Sequence, residues 1–192
     1  MTRRLFLTGP SGCGKSTLLR TALQGRLSAA GGFITERQRN ADGSYAFFYL
    51  QRADGTGTRE IFLDLRQFPP NKSDLPFTGT AARLLREDAP FFLLDEIGGM
   101  ELLLPEFQAA LDAFLASDTP CIGVLKGIRN SRALQSTAAL PEVYLQAAEQ
   151  LRNRLEQSPD TTVLELSNFH DPTAVAAVTQ WVEEYAHGLC NL

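Results

Sequence analysis

The sequence predicts an α/β fold in which a mostly parallel sheet is covered by helices on both faces. Three observations carry that prediction. Short unbroken apolar runs alternate with longer segments of helical spacing, as in units whose parallel strands are buried on both faces. The 192 residues correspond to roughly one domain at ~150 residues per domain, enough chain to bury a core without disulfide or metal staples. Hydrophobic residues at 44% and charged residues at 21% are ordinary globular usage, which excludes a disordered chain, a fibrous repeat and a membrane span.

The elements follow in order. Arg4 to Thr8 is a short apolar run stopped by Gly9 and Pro10, and reads as a buried strand. Ser16 to Leu27 repeats apolar residues at helical spacing, and Gly31 and Gly32 then read as a break. Phe33 to Glu36 is a second strand. Two β-rich runs, Tyr45 to Leu50 and Thr58 to Leu65, flank the turn sequence ADGTG, so a hairpin insertion is expected at about 44–65. The three prolines of residues 67–76 mark a loop. Thr80 to Glu87 is a short helix, and Phe91 to Leu94 is a buried strand ending at Asp95 and Glu96. Pro105 to Ala116 is a helix with proline in its first turn. After it come a strand at Cys121 to Leu125, a helix at Pro141 to Gln157, a strand at Thr162 to Leu166 and a helix at Pro172 to Ala186. No repeat or interdomain linker interrupts the series, so residues 1–192 are expected to form a single domain.

Eighteen Lys and Arg against 22 Asp and Glu give a net charge of −4. That balance argues against binding to duplex nucleic acid, which needs many phosphate contacts, but leaves room for a local cationic site. Cys13, Cys121 and Cys190 have no zinc or disulfide spacing, which points to a reducing compartment. The N-terminal segment MTRRLFLTGPSG has no apolar core of signal-peptide length. A cytoplasmic, monomeric protein without a membrane partner is the expectation.

The sharpest signal is Gly9-Pro10-Ser11-Gly12-Cys13-Gly14-Lys15-Ser16, which fits G-x-x-x-x-G-K-[ST] between a predicted strand and a predicted helix. Glycines let the backbone curl so that successive N–H groups point at phosphate oxygens, and the following helix, which continues with Thr17, adds its positive end. Lys15 would reach the β- and γ-phosphates of a nucleotide, and Ser16 would ligate Mg²⁺.

The second signal is the apolar strand that ends in Asp95 and Glu96. It sets two carboxylates at the sheet's carboxyl edge, where such sheets bind ligands. Asp95 would support the metal. Glu96 would orient or deprotonate an attacking water.

Other patterns are weaker. Asn71-Lys72-Ser73-Asp74 imitates a guanine-reading motif, and Asp95 to Gly98 fits D-x-x-G. The order is reversed and no apolar strand delivers the first, so residues 71–74 read as a polar loop. Cys13 is a small filler residue in the loop, and His170 and His187 are surface residues without partners at ligand spacing. Trp181 and Tyr185 pack one turn apart on the last helix. Phe47, Phe48 and Tyr49 suit either base stacking or hairpin packing. Arg39, Lys126, Arg129, Arg152 and Arg154 are candidate charge stabilisers.

Taken together, the chain resembles the THEP-type nucleoside-triphosphatases, also called cancer-related NTPases. The likeness runs from LFLTGPSGCGKSTLL at 5–19, through Gly32-Phe33-Ile34-Thr35-Glu36 with Arg39, to LLDEIGGMEL at 93–102. LRNRL at 151–155 and VLELSN at 163–168 are also similar. The resemblance implies a three-layer P-loop NTPase fold, RecA-like or kinase-like, and Mg²⁺-dependent hydrolysis of ATP, GTP and other nucleoside triphosphates. It assigns phosphate binding to Gly9 through Ser16, metal support to Asp95 and the base to Glu96, with Glu36 and Arg39 as possible additional site residues. The family usually carries Lys where this chain has Gly99, so a cation beside the site is expected to be missing. A small-molecule kinase and a nucleotide-controlled binding module with negligible turnover are the competing readings.

Overall fold

A computed structural model describes residues 2–64, 66, 77–137 and 140–188. The whole proline-rich segment 67–76, with residues 71–74 inside it, and Cys190 lie outside that set. The strands are β1 (Arg4–Thr8), β2 (Ala30–Arg39), β3 (Tyr45–Arg52), β4 (Glu60–Asp64), β5 (Phe91–Ile97), β6 (Cys121–Leu125) and β7 (Thr161–Glu165). The helices are α1 (Lys15–Ala22), α2 (Phe77–Leu84), α3 (Pro105–Ala116), α4 (Ile128–Thr137), α5 (Glu142–Gln157) and α6 (Pro172–Tyr185).

The seven strands form one sheet in the order β4-β3-β2-β5-β6-β1-β7. Pairing is parallel from β2 through β5, β6 and β1 to β7. β3 and β4 extend one edge as antiparallel neighbours. Successive residues of the inner strands face opposite ways. Phe6, Phe92, Leu94, Cys121 and Leu125 enter a core built with α2, α3 and α5. Leu5, Leu7, Phe91, Leu93, Ile122 and Val124 enter a second core with α1 and α6. This is the expected three-layer α/β architecture. Among the described residues no helix is long and apolar enough to cross a membrane.

Several boundaries differ from the sequence reading. Gly31 and Gly32 do not break the chain: both lie inside β2, beside β5. Gly32 has φ +85°, and a Cβ there would collide with the carbonyl oxygen of Leu93. α1 stops at Ala22 rather than Leu27, and the chain turns through Gly25 at φ +81°. α2 ends three residues earlier than Glu87, because Arg86 N–H bonds the Arg83 carbonyl at 2.9 Å in a tighter turn ahead of Pro90. β5 runs through Asp95 and Glu96 to Ile97. The helix α4 escaped the sequence reading because Ser131 is its one fully buried residue, leaving no apolar stripe to read.

Gly32→Ala is expected to destabilise the fold by roughly 2–4 kcal/mol, combining an unfavourable φ with a backbone clash. Gly43→Ala, with φ +84° but no neighbouring atom within 4 Å, should cost only about 1 kcal/mol. Urea unfolding midpoints of the two variants measure the difference, and equal losses would refute the clash.

Candidate functional site

The site opens where β1 ends. At Gly9 φ is +134°, and a Cβ would strike the Leu166 carbonyl oxygen, so the loop leaves the strand in a direction open to glycine. Gly14 (φ +98°) caps α1, and a Cβ there would stand 2.9 Å from Phe169 Cβ. The loop therefore lies pressed against the segment after β7, with the N-terminus of α1 facing a cleft of about 800 Å³. A cleft of that size suits a nucleotide-sized ligand.

Lys15 folds back over the loop, and its Nζ donates to the carbonyls of Gly9 at 3.0 Å and Pro10 at 2.7 Å. It also lies 3.6 Å from Cys13 Sγ. Ser16 Oγ donates to Asp95 Oδ1 at 2.6 Å, tying the loop to β5 across the intervening strand β6. Asp95 is 1% exposed. Its second oxygen accepts from Arg20 Nη2 at 3.3 Å, and Thr35 Oγ1 donates to its carbonyl at 3.2 Å. Burial pushes the Asp95 carboxyl above the usual range, against the opposing pull of Ser16 and Arg20.

Glu96 is the one non-glycine with positive φ among the described residues, at +74°. It sits where β5 slips its register against β6, between Leu94 and Ile97. The kink turns its carboxylate into the cleft, where Oε2 accepts from Arg37 Nη2 at 2.8 Å and Oε1 accepts from Lys126 Nζ. Burial alone would raise the Glu96 pKa, but the charges of Lys126 and Arg37 outweigh it and hold the value down at about 2. Arg37 also donates to Ser11 Oγ at 3.1 Å, so it bridges the phosphate-type loop and the acidic strand.

The turn after β5 is braced from beneath. The buried Glu101 carboxylate accepts from the Gly98 N–H at 2.8 Å and the Gly99 N–H at 2.6 Å. Burial raises the Glu101 pKa. Tyr144 OH donates to the Gly98 carbonyl at 3.0 Å.

Ser11, Gly12, Gly14, Lys15, Ser16, Thr17 and Glu96 line the cleft; Gly9, Pro10 and Cys13 belong to the same loop without lining it, and Asp95 lies buried behind Ser16. Glu36 lies on the cleft wall, accepting from Arg59 Nη1 at 2.9 Å with Arg20 4.0 Å away. Arg39 stands apart: three residues further along β2, roughly 10 Å at strand rise, it donates to the Gly43 carbonyl in the turn. Arg152 and Arg154 pair on α5 with Glu156 and Asp112. Position 99 supplies no cation, and the two that meet Glu96 come from β2 and from the residue after β6. Sequence reading overlooked Arg20 and Arg37 and left Lys126 undistinguished. Arg20 follows Ser16 by one helical turn, and Lys126 follows the carboxyl end of β6 as Asp95 and Glu96 end β5, so both carried a readable signal. Arg37 carried none, because no apolar alternation marks the continuation of β2 beyond Glu36.

A family model described as NTPase matches residues 4–158. The chain is 29% identical to the nucleoside-triphosphatase THEP1 of Thermotoga sp. (strain RQ2) over 130 residues, covering 64% of this chain and 74% of that protein. It is 28% identical to the nucleoside-triphosphatase THEP1 of Ignicoccus hospitalis over 160 residues, covering 73% and 86%. The solution structure of a human cancer-related nucleoside triphosphatase superposes with a TM-score of 0.65 at 26% identity, over 95% of this chain and 98% of that one. The crystal structure of THEP1 from Aquifex aeolicus shares the fold, with a TM-score of 0.58 at 18% identity over 94% and 99%.

The ion pairs of Glu96 make a pH prediction. Its folded pKa of about 2 lies below the ordinary 4.5. The carboxylate therefore adds stability that is complete above that ordinary value and is lost as pH falls toward the folded one. The contribution is about 3 kcal/mol. Urea midpoints measured between neutral and acid pH should fall more steeply in the wild type than in Glu96→Gln, and parallel slopes would contradict the assignment.

Proposed function

The chain belongs to the NTPase family, and from that premise we propose a Mg²⁺-dependent nucleoside-triphosphatase of broad base specificity that releases a nucleoside diphosphate and phosphate. The single observation that carries this reading is the 2.6 Å hydrogen bond from Ser16 to Asp95, with Glu96 one residue further along the same strand. A hydroxyl at the start of α1 and a buried carboxylate are hard oxygen donors, the set that fits Mg²⁺ shared with substrate phosphates. The ion, when bound, neutralises charge on the β- and γ-phosphates.

The chain's own residues supply the rest. Backbone N–H groups of Gly12 to Ser16 hold phosphate oxygens, and Lys15 exchanges the carbonyls of Gly9 and Pro10 for phosphate. Glu96 accepts a hydrogen bond from the attacking water and fixes its approach. Broad specificity is supported by recognition elements that engage phosphates, which all nucleoside triphosphates share. Free thiols at Cys13 and Cys121 suit the proposed cytoplasmic setting. The cleft also reaches Phe48 on β3 and Leu134 on α4. That extension favours, as a second reading, a kinase that admits a small acceptor.

Phosphate release from ATP, GTP, CTP and UTP, with Mg²⁺ or with EDTA, tests both readings. All four nucleotides should be hydrolysed without an acceptor, and EDTA should stop them. Lys15→Ala should abolish tight nucleotide binding. Glu96→Gln should bind normally and turn over about 10²-fold or more slowly. Dependence on added nucleosides would favour the kinase, and wild-type turnover in Glu96→Gln would overturn its role.

A further inference from the structure

The two cations on Glu96 stand in an unusual relation to the loop. Arg37 Nη1 and Nη2 reach Ser11 of the loop and Glu96 of β5 at once, at 3.1 and 2.8 Å. The Arg37 guanidinium lies over the Phe48 ring, 5.4 Å from its centroid, which steadies the plane of the fork. Lys126 is placed from the other side. Its backbone N–H bonds the Ile97 carbonyl at 2.8 Å, and its ammonium closes on the second Glu96 oxygen. The adjoining Gly127 passes so near β1 that a Cβ would stand 3.3 Å from Thr8 Oγ1. Both cations therefore converge where the loop faces Glu96.

A triphosphate seated on the loop would bring its terminal oxygens toward two carboxylates, Asp95 and Glu96. That approach is repulsive unless cations turn to meet it. Of the groups present, Lys15 serves the loop and Arg20 serves Asp95. Arg37 and Lys126 are the cations that face Glu96, and Arg37 already reaches the loop.

We propose that Arg37 and Lys126 are γ-phosphate-binding catalytic residues, held on Glu96 in the nucleotide-free protein and transferred to the terminal phosphate when a triphosphate binds. Such cations supply in cis the charge stabilisation that phosphoryl transfer requires. Their transfer releases the Glu96 carboxylate to the water beside it. In the hydrolytic step the water oxygen bonds to the γ-phosphorus as the bond to the β–γ bridging oxygen breaks. The electron pair of that bond leaves with the diphosphate. The water's remaining O–H becomes part of the released phosphate, and its other proton departs through Glu96 to solvent.

This inference rests on the hydrolase reading, but binding measurements separate the two. Affinities for ADP and for the non-hydrolysable β,γ-imido analogue of ATP are compared in wild type, Arg37→Ala, Arg37→Lys and Lys126→Met, with thermal unfolding as the folding control. Arg37→Ala and Lys126→Met should keep ADP affinity within about twofold, weaken the analogue about tenfold and slow turnover about 10²-fold or more. Arg37→Lys should recover part of the analogue affinity. The proposal is overturned if the analogue and ADP lose affinity equally, if neither loses any, or if both variants keep wild-type turnover. A wild type that releases no phosphate sinks the hydrolase reading and the catalytic role with it, whereas the ratio of analogue to ADP affinity decides by itself whether Arg37 and Lys126 bind the terminal phosphate.

Discussion

The burial of Asp95 is the constraint on which the rest of the site depends. A carboxylate at 1% exposure is stable only with close hydrogen-bonding partners, since an isolated buried charge costs several kcal/mol. Its partners come from different parts of the chain: Ser16 and Arg20 from α1, and Thr35 from β2 through the Asp95 carbonyl. Satisfying one side chain thus fixes the loop and α1 against β5 and β2.

The neighbouring Glu96 obeys a different balance. Its positive φ costs of order 1–3 kcal/mol and persists only where surrounding bonds over-determine it. Those bonds are present on both sides of the kink: Arg37 and Lys126 hold the side chain, while Glu101 and Tyr144 hold the following Gly98–Gly99 turn. Gly99 belongs to this bracing. A Cβ at that position would come 2.6 Å from Glu101 Oε2, so the carboxylate that caps the turn takes the space of a side chain. No cation stands at 99, and the positive charge that meets Glu96 comes from Arg37 and Lys126.

Much of this was legible in the sequence because the signals were local. The loop motif fell between a strand and a helix, and β1, α3 and β6 have the boundaries that their apolar patterns predict. Asp95 and Glu96 were readable from their place at the end of an apolar run. What escaped was set by distant contacts. β2 carries two glycines through its interior because Ala89, Phe92 and Leu94 occupy the space where side chains would stand. α4 has a polar sequence, yet it brings Asn130 within 3.3 Å of the Gly9 carbonyl. Arg37 acquires meaning only from its meeting with Ser11 and Glu96, residues far from it in sequence. The resemblance placed Arg39 at the site by spacing, whereas the strand carries it past the cleft to the turn at Gly43.

Whole-chain charge misleads in the same way. The net value of −4 describes the chain as a whole, while the cleft gathers Lys15, Arg20, Arg37 and Lys126 around one loop. None of these cations waits unpaired for substrate. Lys15 rests on loop carbonyls, Arg20 on Asp95, and Arg37 and Lys126 on Glu96. Binding a polyanion is therefore an exchange of partners rather than the filling of a vacant positive pocket, and part of the attraction offsets the contacts given up. An exchange of this kind discriminates by charge. A ligand with too few anionic oxygens to replace both Glu96 contacts leaves the cations where they are. A ligand that replaces them frees the carboxylate at the moment the phosphate is in place. The ion pairs that quiet the cleft without nucleotide thereby couple its readiness to the terminal phosphate.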